Sequence, residues 1–254
     1  MTAAAASSQR GRKFAGGRVT NLRESALVQQ LHTVQAEVEA LARRRDLMES
    51  MMLNAKVHAI QYAVQMTKQF YEIFSHGYNP AAHPMQSRQA EVFLRSLMTE
   101  DVMCTEFIGV DMFLRQYEIG ALYHTSMSVA LHDVSHVEHG DLAIHVKASA
   151  VARFRISRET LTRFFPSIIQ DEQLTQQLIG QEYEMQYDKV FHFQNGRIFQ
   201  HESRVDFCGG LMRMVGDPFL AMKLLQASIM TKHGHWKINN QIEEDRHELQ
   251  NSLL

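Results

Sequence analysis

Cysteine is scarce: Cys104 and Cys208 are the only two in 254 residues. Neither has a partner at metal-ligand spacing, so a zinc ribbon and a disulfide framework are both excluded. Two thiols beside fifteen methionines point to a reducing compartment, nucleus or cytoplasm. Long apolar runs are missing, so no stretch suits a bilayer span, and the small residues at the start lack the apolar core of a secretory signal. There is no glycine-rich phosphate loop, no Gly-x-Ser-x-Gly and no Cys/His pair of nucleophilic type. Acid is absent from residues 1–23, which carry Arg10, Arg12, Lys13, Arg18 and Arg23. The net charge is −2, so the remainder is acidic. Finally, neither glycine nor proline occurs between Gly17 and Gly77.

That last absence permits one helix from about residue 20 to 76, roughly 80 Å long at 1.5 Å per residue. Thr20 or Asn21 serves as its cap, with Glu24 in the first turn. Residues 1–20 hold Gly11, Gly16 and Gly17 among small polar residues and read as a disordered basic tail. Within the helix, Leu27, Leu31, Val34, Val38, Leu41, Met48 and Met52 recur at steps of four and three, with Arg45 filling the one gap. A 3.5-residue repeat keeps one stripe facing a partner helix, so residues 21–54 read as a leucine-zipper-like coiled coil. In a parallel pair Arg44 meets Glu49 of the other helix, and no flanking pair repels. A polar seam position such as Arg45 favours dimers. An antiparallel pair, or a helix packed on its own domain, gives the same stripe.

Ser50 and Asn54 mark a kink. Beyond them Val57, Ile60, Val64, Phe70, Tyr71, Ile73 and Phe74 widen the apolar face to suit a globular core, which places a domain boundary near residue 54. Short helices are expected over 89–97 and 110–122. The period then changes to two. Strands follow over 125–134 and 142–156, with a turn at His139-Gly140-Asp141. Residues 160–165 are irregular or helical, and 172–178 form a short helix. Strands return over 183–193 and 197–207, joined by the hairpin signal Asn195-Gly196. A helix over 218–231 ends the domain, and 232–254 reads as a loosely packed polar tail. The class is α+β: a coiled-coil helix, then a cone-shaped half-barrel over residues 55–231.

Two resemblances rest on these residues. Phe70-Tyr71-Glu72-Ile73-Phe74 at a helix end, the helix at 110–122, the long strands, and Phe191 to Ile198 leading into His201-Glu202 resemble the NTF2-like or SnoaL-like fold. Arg18-Val19-Thr20-Asn21-Leu22, the coil from Val28 through Leu41 and Arg43 to Arg45, and the segment ending His76-Gly77 resemble an oomycete-type bZIP transcription factor family. In that family a basic region and zipper precede such a domain. The resemblance implies DNA binding by Arg10, Arg12, Lys13 and Arg18 and dimerisation through Leu27, Leu31, Val34, Val38, Leu41, Arg44, Met48 and Glu49. No Asn precedes Asn21, so the family's base-reading amide is missing and the basic region is degenerate or truncated. The four basic residues then meet phosphates, which position but do not specify.

The strands carry His124, His132, His145, Tyr183, Tyr187, Asp188, His192 and Asp206. None forms a recognised catalytic set. His132, His136 and His139, and separately His233 and His235, cluster without completing a metal site, so no catalytic residue, metal or cofactor is expected. Ala148, Ala150 and Ala152 share one strand face and leave room for a ligand or for close packing. The expectation is a bZIP-like regulator, not an enzyme, that forms a homo- or heterodimer through its coil and binds DNA weakly. A ligand-binding or enzymatic cone with the coil as an oligomerisation handle is the alternative, and a scaffold without a DNA role is a third.

Overall fold

The computed structural model describes residues 7–137 and 143–238, with side chains from residue 22 onward. Helix α1 spans Ser7–Ile73. Residues 7–20, expected to be disordered, are therefore helical. Each glycine there costs about 1 kcal/mol relative to alanine, which a long helix absorbs because propagation is cheap once nucleated. The helix also continues through Ser50 and Asn54. The chain divides into two compact units, Met1–Val57 and His58–Leu254.

In the first unit the apolar stripe of α1 is uncovered. Leu27, Leu31, Val34, Val38, Leu41 and Met48 are between 55 and 64% exposed. Arg45, the charged residue of the seam, is paired along its own helix, with Asp46 at 2.7 Å and Glu49 at 3.8 Å. Exposed ion pairs are worth about 0.2–1 kcal/mol.

In the second unit α1 turns a different face inward. Ala63, Thr67, Phe70, Tyr71 and Phe74 are buried, whereas Val57, expected on this face, is exposed. Gly77 at φ +80 ends the run. Pro84 opens α2 (Pro84–Leu97), where its missing N–H costs nothing. Strand β1 (Met98–Cys104) and helix α3 (Val110–Tyr123) follow. Strands β2 (Ser126–Val137), β3 (Ile144–Arg155), β4 (Glu182–Gln194) and β5 (Arg197–Asp206) complete a five-stranded sheet in the order β1-β5-β4-β3-β2. All its pairs are antiparallel except β1 with β5. Between β3 and β4 lie α4 (Arg158–Phe164), a 3₁₀ turn and α5 (Glu172–Leu178). Helices α6 (Phe207–Val215) and α7 (Pro218–Ala227) follow the sheet. The class is α+β, as read from the pattern.

The Asn195-Gly196 hairpin has positive φ at both residues, 51° and 78°, the type I′ geometry whose twist suits paired strands. Two further expectations need correction. Strand β1 was missed, because Met98-Thr99-Glu100-Asp101-Val102 breaks the alternation. The stretch after Thr231 is not uniformly loose: His235 and Trp236 are buried, and Trp236 bridges to Met230. The expected turn at 139–141 lies outside the described residues.

One face of the sheet is apolar and meets the helices. Phe70 of α1 packs its ring within 6.0 Å of Phe113, Tyr117 and Phe191. The other face is a charge ladder, with Arg155 on Glu182, Arg153 on Glu184 and Lys147 on Asp188. The period-2 alternation of β3 and β4 produces both faces at once.

Candidate functional site

The register of β3 against β4 sets small residues opposite large ones. Ala148 faces Lys189, Ala150 faces Tyr187 and Ala152 faces Met185. Alanine beside a long side chain leaves space on the inner face, and a cavity of about 80 Å³ lies there. Ala152, Tyr187 and Lys189 line it from the sheet, Gln116 and Tyr117 from α3, and His235 and Trp236 from the C-terminal segment.

Lys189 is the unusual member. Its neighbours along the strand, Tyr187 and Phe191, are buried, and alternation puts Lys189 on the same side. Its Nζ donates to Tyr117 Oη at 2.8 Å. The rings of Phe70, Phe113, Tyr117 and Tyr187 have centroids between 5.0 and 6.0 Å from the ammonium. Ring faces offset part of the lost hydration but supply no formal charge. Burial pulls the Lys189 pKa down to about 8, against a small opposing influence from Cys104. Among the described residues no carboxylate forms an ion pair with it.

On β5, His201 is 1% exposed, edge-on to the ring of Phe113 and tilted against that of Phe191. Neither ring nitrogen has a hydrogen-bond partner among the described residues. Burial, reinforced by Lys189, holds its pKa well below the ordinary histidine value.

The C-terminal segment closes another side. Gly234 sits at φ +82, and a Cβ there would lie 2.1 Å from Val205 Cγ2, so only glycine fits. Next to it, His235 Nδ1 lies 2.7 Å from Glu106 Oε2, which also accepts from the Thr231 hydroxyl. Burial alone would raise Glu106, but these hydrogen bonds outweigh it and hold the carboxyl below its usual range. Burial also outweighs Glu106 at His235, whose pKa is lowered. The pair is a carboxylate with a neutral imidazole donating from Nδ1. Trp236 is fixed by Gln116, whose amide exchanges two hydrogen bonds with the Trp236 backbone at 2.6 and 3.1 Å.

The residues singled out from sequence scatter. His124 accepts at Nε2 from the Tyr183 hydroxyl at 2.6 Å and donates from Nδ1 to Gly120 O, a satisfied core pair. Burial lowers the His124 pKa to about 4. His145 and His192 lie side by side, Nδ1 to Nδ1 at 2.7 Å, with Glu202 beyond His192 at 3.2 Å. Asp188 belongs to the charge ladder, and Lys147 and Ser149 hold its pKa below the usual value. Asp206 caps α6. His132 is exposed and His139 lies outside the described residues. Of the eight strand candidates only Tyr187 lines the cavity. Lys189, Tyr117, His201 and Glu106 were missed. The available signal was a lysine in phase with Tyr183, Tyr187, Phe191 and Phe193. The side chains of Arg10, Arg12, Lys13 and Arg18 lie outside the described ones. Among the described residues no group of three or more His, Cys, Asp or Glu could hold a metal ion, and no helix is long and apolar enough to cross a membrane.

No curated protein matches the chain. Solved structures do. IdmH of Streptomyces antibioticus, a candidate polyketide cyclase, is 17% identical over 60% of this chain and 97% of its own, with a TM-score of 0.40. A phenazine biosynthesis-related protein of Pseudomonas aeruginosa is 12% identical over 65% of this chain and 92% of its own, at 0.42. An NTF2-like protein of Burkholderia pseudomallei is 14% identical over 61% of this chain and 98% of its own, at 0.37. From the end of α1 through α3, residues 64–123 match the family model of the BZIP transcription factor 1 C-terminal domain.

Proposed function

We propose that the chain is a transcription regulator of bZIP type that dimerises with a second copy of itself through α1. The carrying observation is the uncovered heptad stripe of α1, preceded on the same helix by the basic positions 10, 12, 13 and 18. The match of residues 64–123 to a bZIP factor's C-terminal domain supports the same reading, and with it a nuclear site of action. A stripe of Leu27, Leu31, Val34, Val38, Leu41 and Met48 exposed to water loses about 25 cal/mol for each Å² of apolar surface left unburied, and a second helix removes that loss. Arg44 and Glu49 are the flanking charges that pair between helices in a parallel dimer. The basic positions contact phosphates, and without the base-reading amide they bind DNA with little sequence preference.

The test is Leu31→Lys combined with Val38→Lys. Two unpaired ammonium groups per helix in the seam should convert a dimer to a monomer by light scattering. The far-ultraviolet signal of the α+β domain should persist, because its core lies in the second unit. A doubly substituted protein of unchanged mass would remove this stretch as the interface.

A further inference from the structure

We propose that the cavity inside the α+β domain is a binding site for a small apolar monocarboxylate, whose carboxylate sits beside Lys189 and supplies the counter-charge the protein omits. The inference stands on the interior of this domain and does not depend on how α1 pairs.

Three observations carry it. First, Lys189 is half-buried on the cavity wall, and among the described residues its Nζ meets only a phenol hydroxyl and four ring faces and no carboxylate pairs with it. A buried cation without an anion is disfavoured unless something repays it. The same domain pairs Lys147 at 2.8 Å with Asp188, and Arg153 with Glu184, so the omission is local. Second, the site has neutral polar groups ready for an anion. The Tyr117 hydroxyl accepts from Lys189 and keeps its own proton to donate, and Ser203 lies directly across from Lys189 in the sheet register. Glu106, the nearby buried acid, is taken up by His235 and Thr231. Third, there is space. The cavity measures about 80 Å³. At roughly 10–15 Å³ per water-sized atom this admits a ligand of roughly five to eight non-hydrogen atoms.

The chemistry of the walls narrows the class. One ammonium matches one negative charge, so a phosphate dianion would be undercompensated. Met127, Val129, Phe154 and Trp236 line the rest of the cavity and favour a hydrocarbon body. A short-chain or branched-chain carboxylate satisfies both ends.

The experiment uses the full chain at neutral pH. Sodium propionate, butyrate, valerate and hexanoate, each at about 10 mM, enough to saturate a millimolar site, are compared with the matching amides and with sodium chloride at equal ionic strength. At least one carboxylate should raise the melting temperature saturably, and its amide should not. Lys189→Met should lose that response. Without ligand it should be at least as stable as the wild type, since an uncompensated, half-buried charge is gone. If Lys189→Met fails to fold by circular dichroism, Ala152→Leu, which fills the cavity and keeps Lys189, should abolish the response instead. Equal shifts from carboxylate and amide, no shift from any of the acids, or a retained shift in the folded variant would each overturn the proposal.

Discussion

Three buried histidines tie this protein's stability to pH. His124 is the best defined: burial lowers its pKa to about 4 while Tyr183 and Gly120 occupy its two nitrogens. An unfolded histidine titrates near 6.5, so between about 6.5 and 4 the unfolded chain binds a proton that the folded chain refuses. The stability from this group is complete above about pH 6.5 and is lost as pH falls. At pH 5 the loss from His124 is about 2 kcal/mol. His201 and His235 are shifted the same way and steepen the decline. Glu106 has a lowered pKa, so its contribution is present above the ordinary carboxyl range and is lost only at still lower pH. Urea denaturation at pH 7.5 and 5.0 measures the slope, and His124→Gln should flatten it. An unchanged slope in that variant would mean His124 is not held neutral in the fold.

At the scale of elements, the C-terminal segment is the piece that the local pattern hides. Trp236 lies 4.4 Å from Phe164 and 5.6 Å from His124, ring centre to ring centre. Removing a buried ring of this size should cost about 3–5 kcal/mol, so Trp236→Ala should lower the urea midpoint sharply by circular dichroism. A loss below about 1 kcal/mol would show that the segment is only loosely applied. The strands β2 to β4 were legible from alternating apolar and polar residues, as Tyr183, Tyr187, Phe191 and Phe193 show, and β5 from the Asn195-Gly196 hairpin signal that precedes it. Strand β1 was not, because Glu100 stands exposed at the phase of the buried Met98, Val102 and Cys104, so the apolar alternation lapses in the middle of the strand. Trp236 was not, because what buries it is Gln116 and Phe164, distant in sequence and brought near only by folding. The cavity fails the same test. Lys189 announces itself as a charge in an apolar phase, but its aromatic cage draws on α1, α3 and β4 together. Of the glycines that were expected to break a helix, Gly11, Gly16 and Gly17 lie within α1, since a penalty of about 1 kcal/mol each is spread over a long cooperative element.

The molecule as a whole combines a net charge of −2 with a first stretch, residues 1–23, that contains only basic charges. An acidic body does not favour a polyanion, so any DNA affinity rests on that stretch alone. If Arg10, Arg12, Lys13 and Arg18 contact phosphates, each releases close to one counterion on binding, and the logarithm of affinity falls with the logarithm of salt by about 0.9 per contact. Changing all four to alanine should then flatten the salt slope by about 3 to 4 and weaken binding to every duplex alike. A residue that reads a guanine edge behaves differently, and its loss costs about 1–3 kcal/mol at one sequence and little elsewhere. Helix α1 carries these positions from Ser7 onward, but residues 1–20 hold no Asn to fix a register on the bases. The uniform loss is therefore expected. Competition binding of the wild type and the quadruple variant against a random duplex library decides it, because a half-site enriched by the wild type and lost by the variant would show that these positions read bases as well as phosphates.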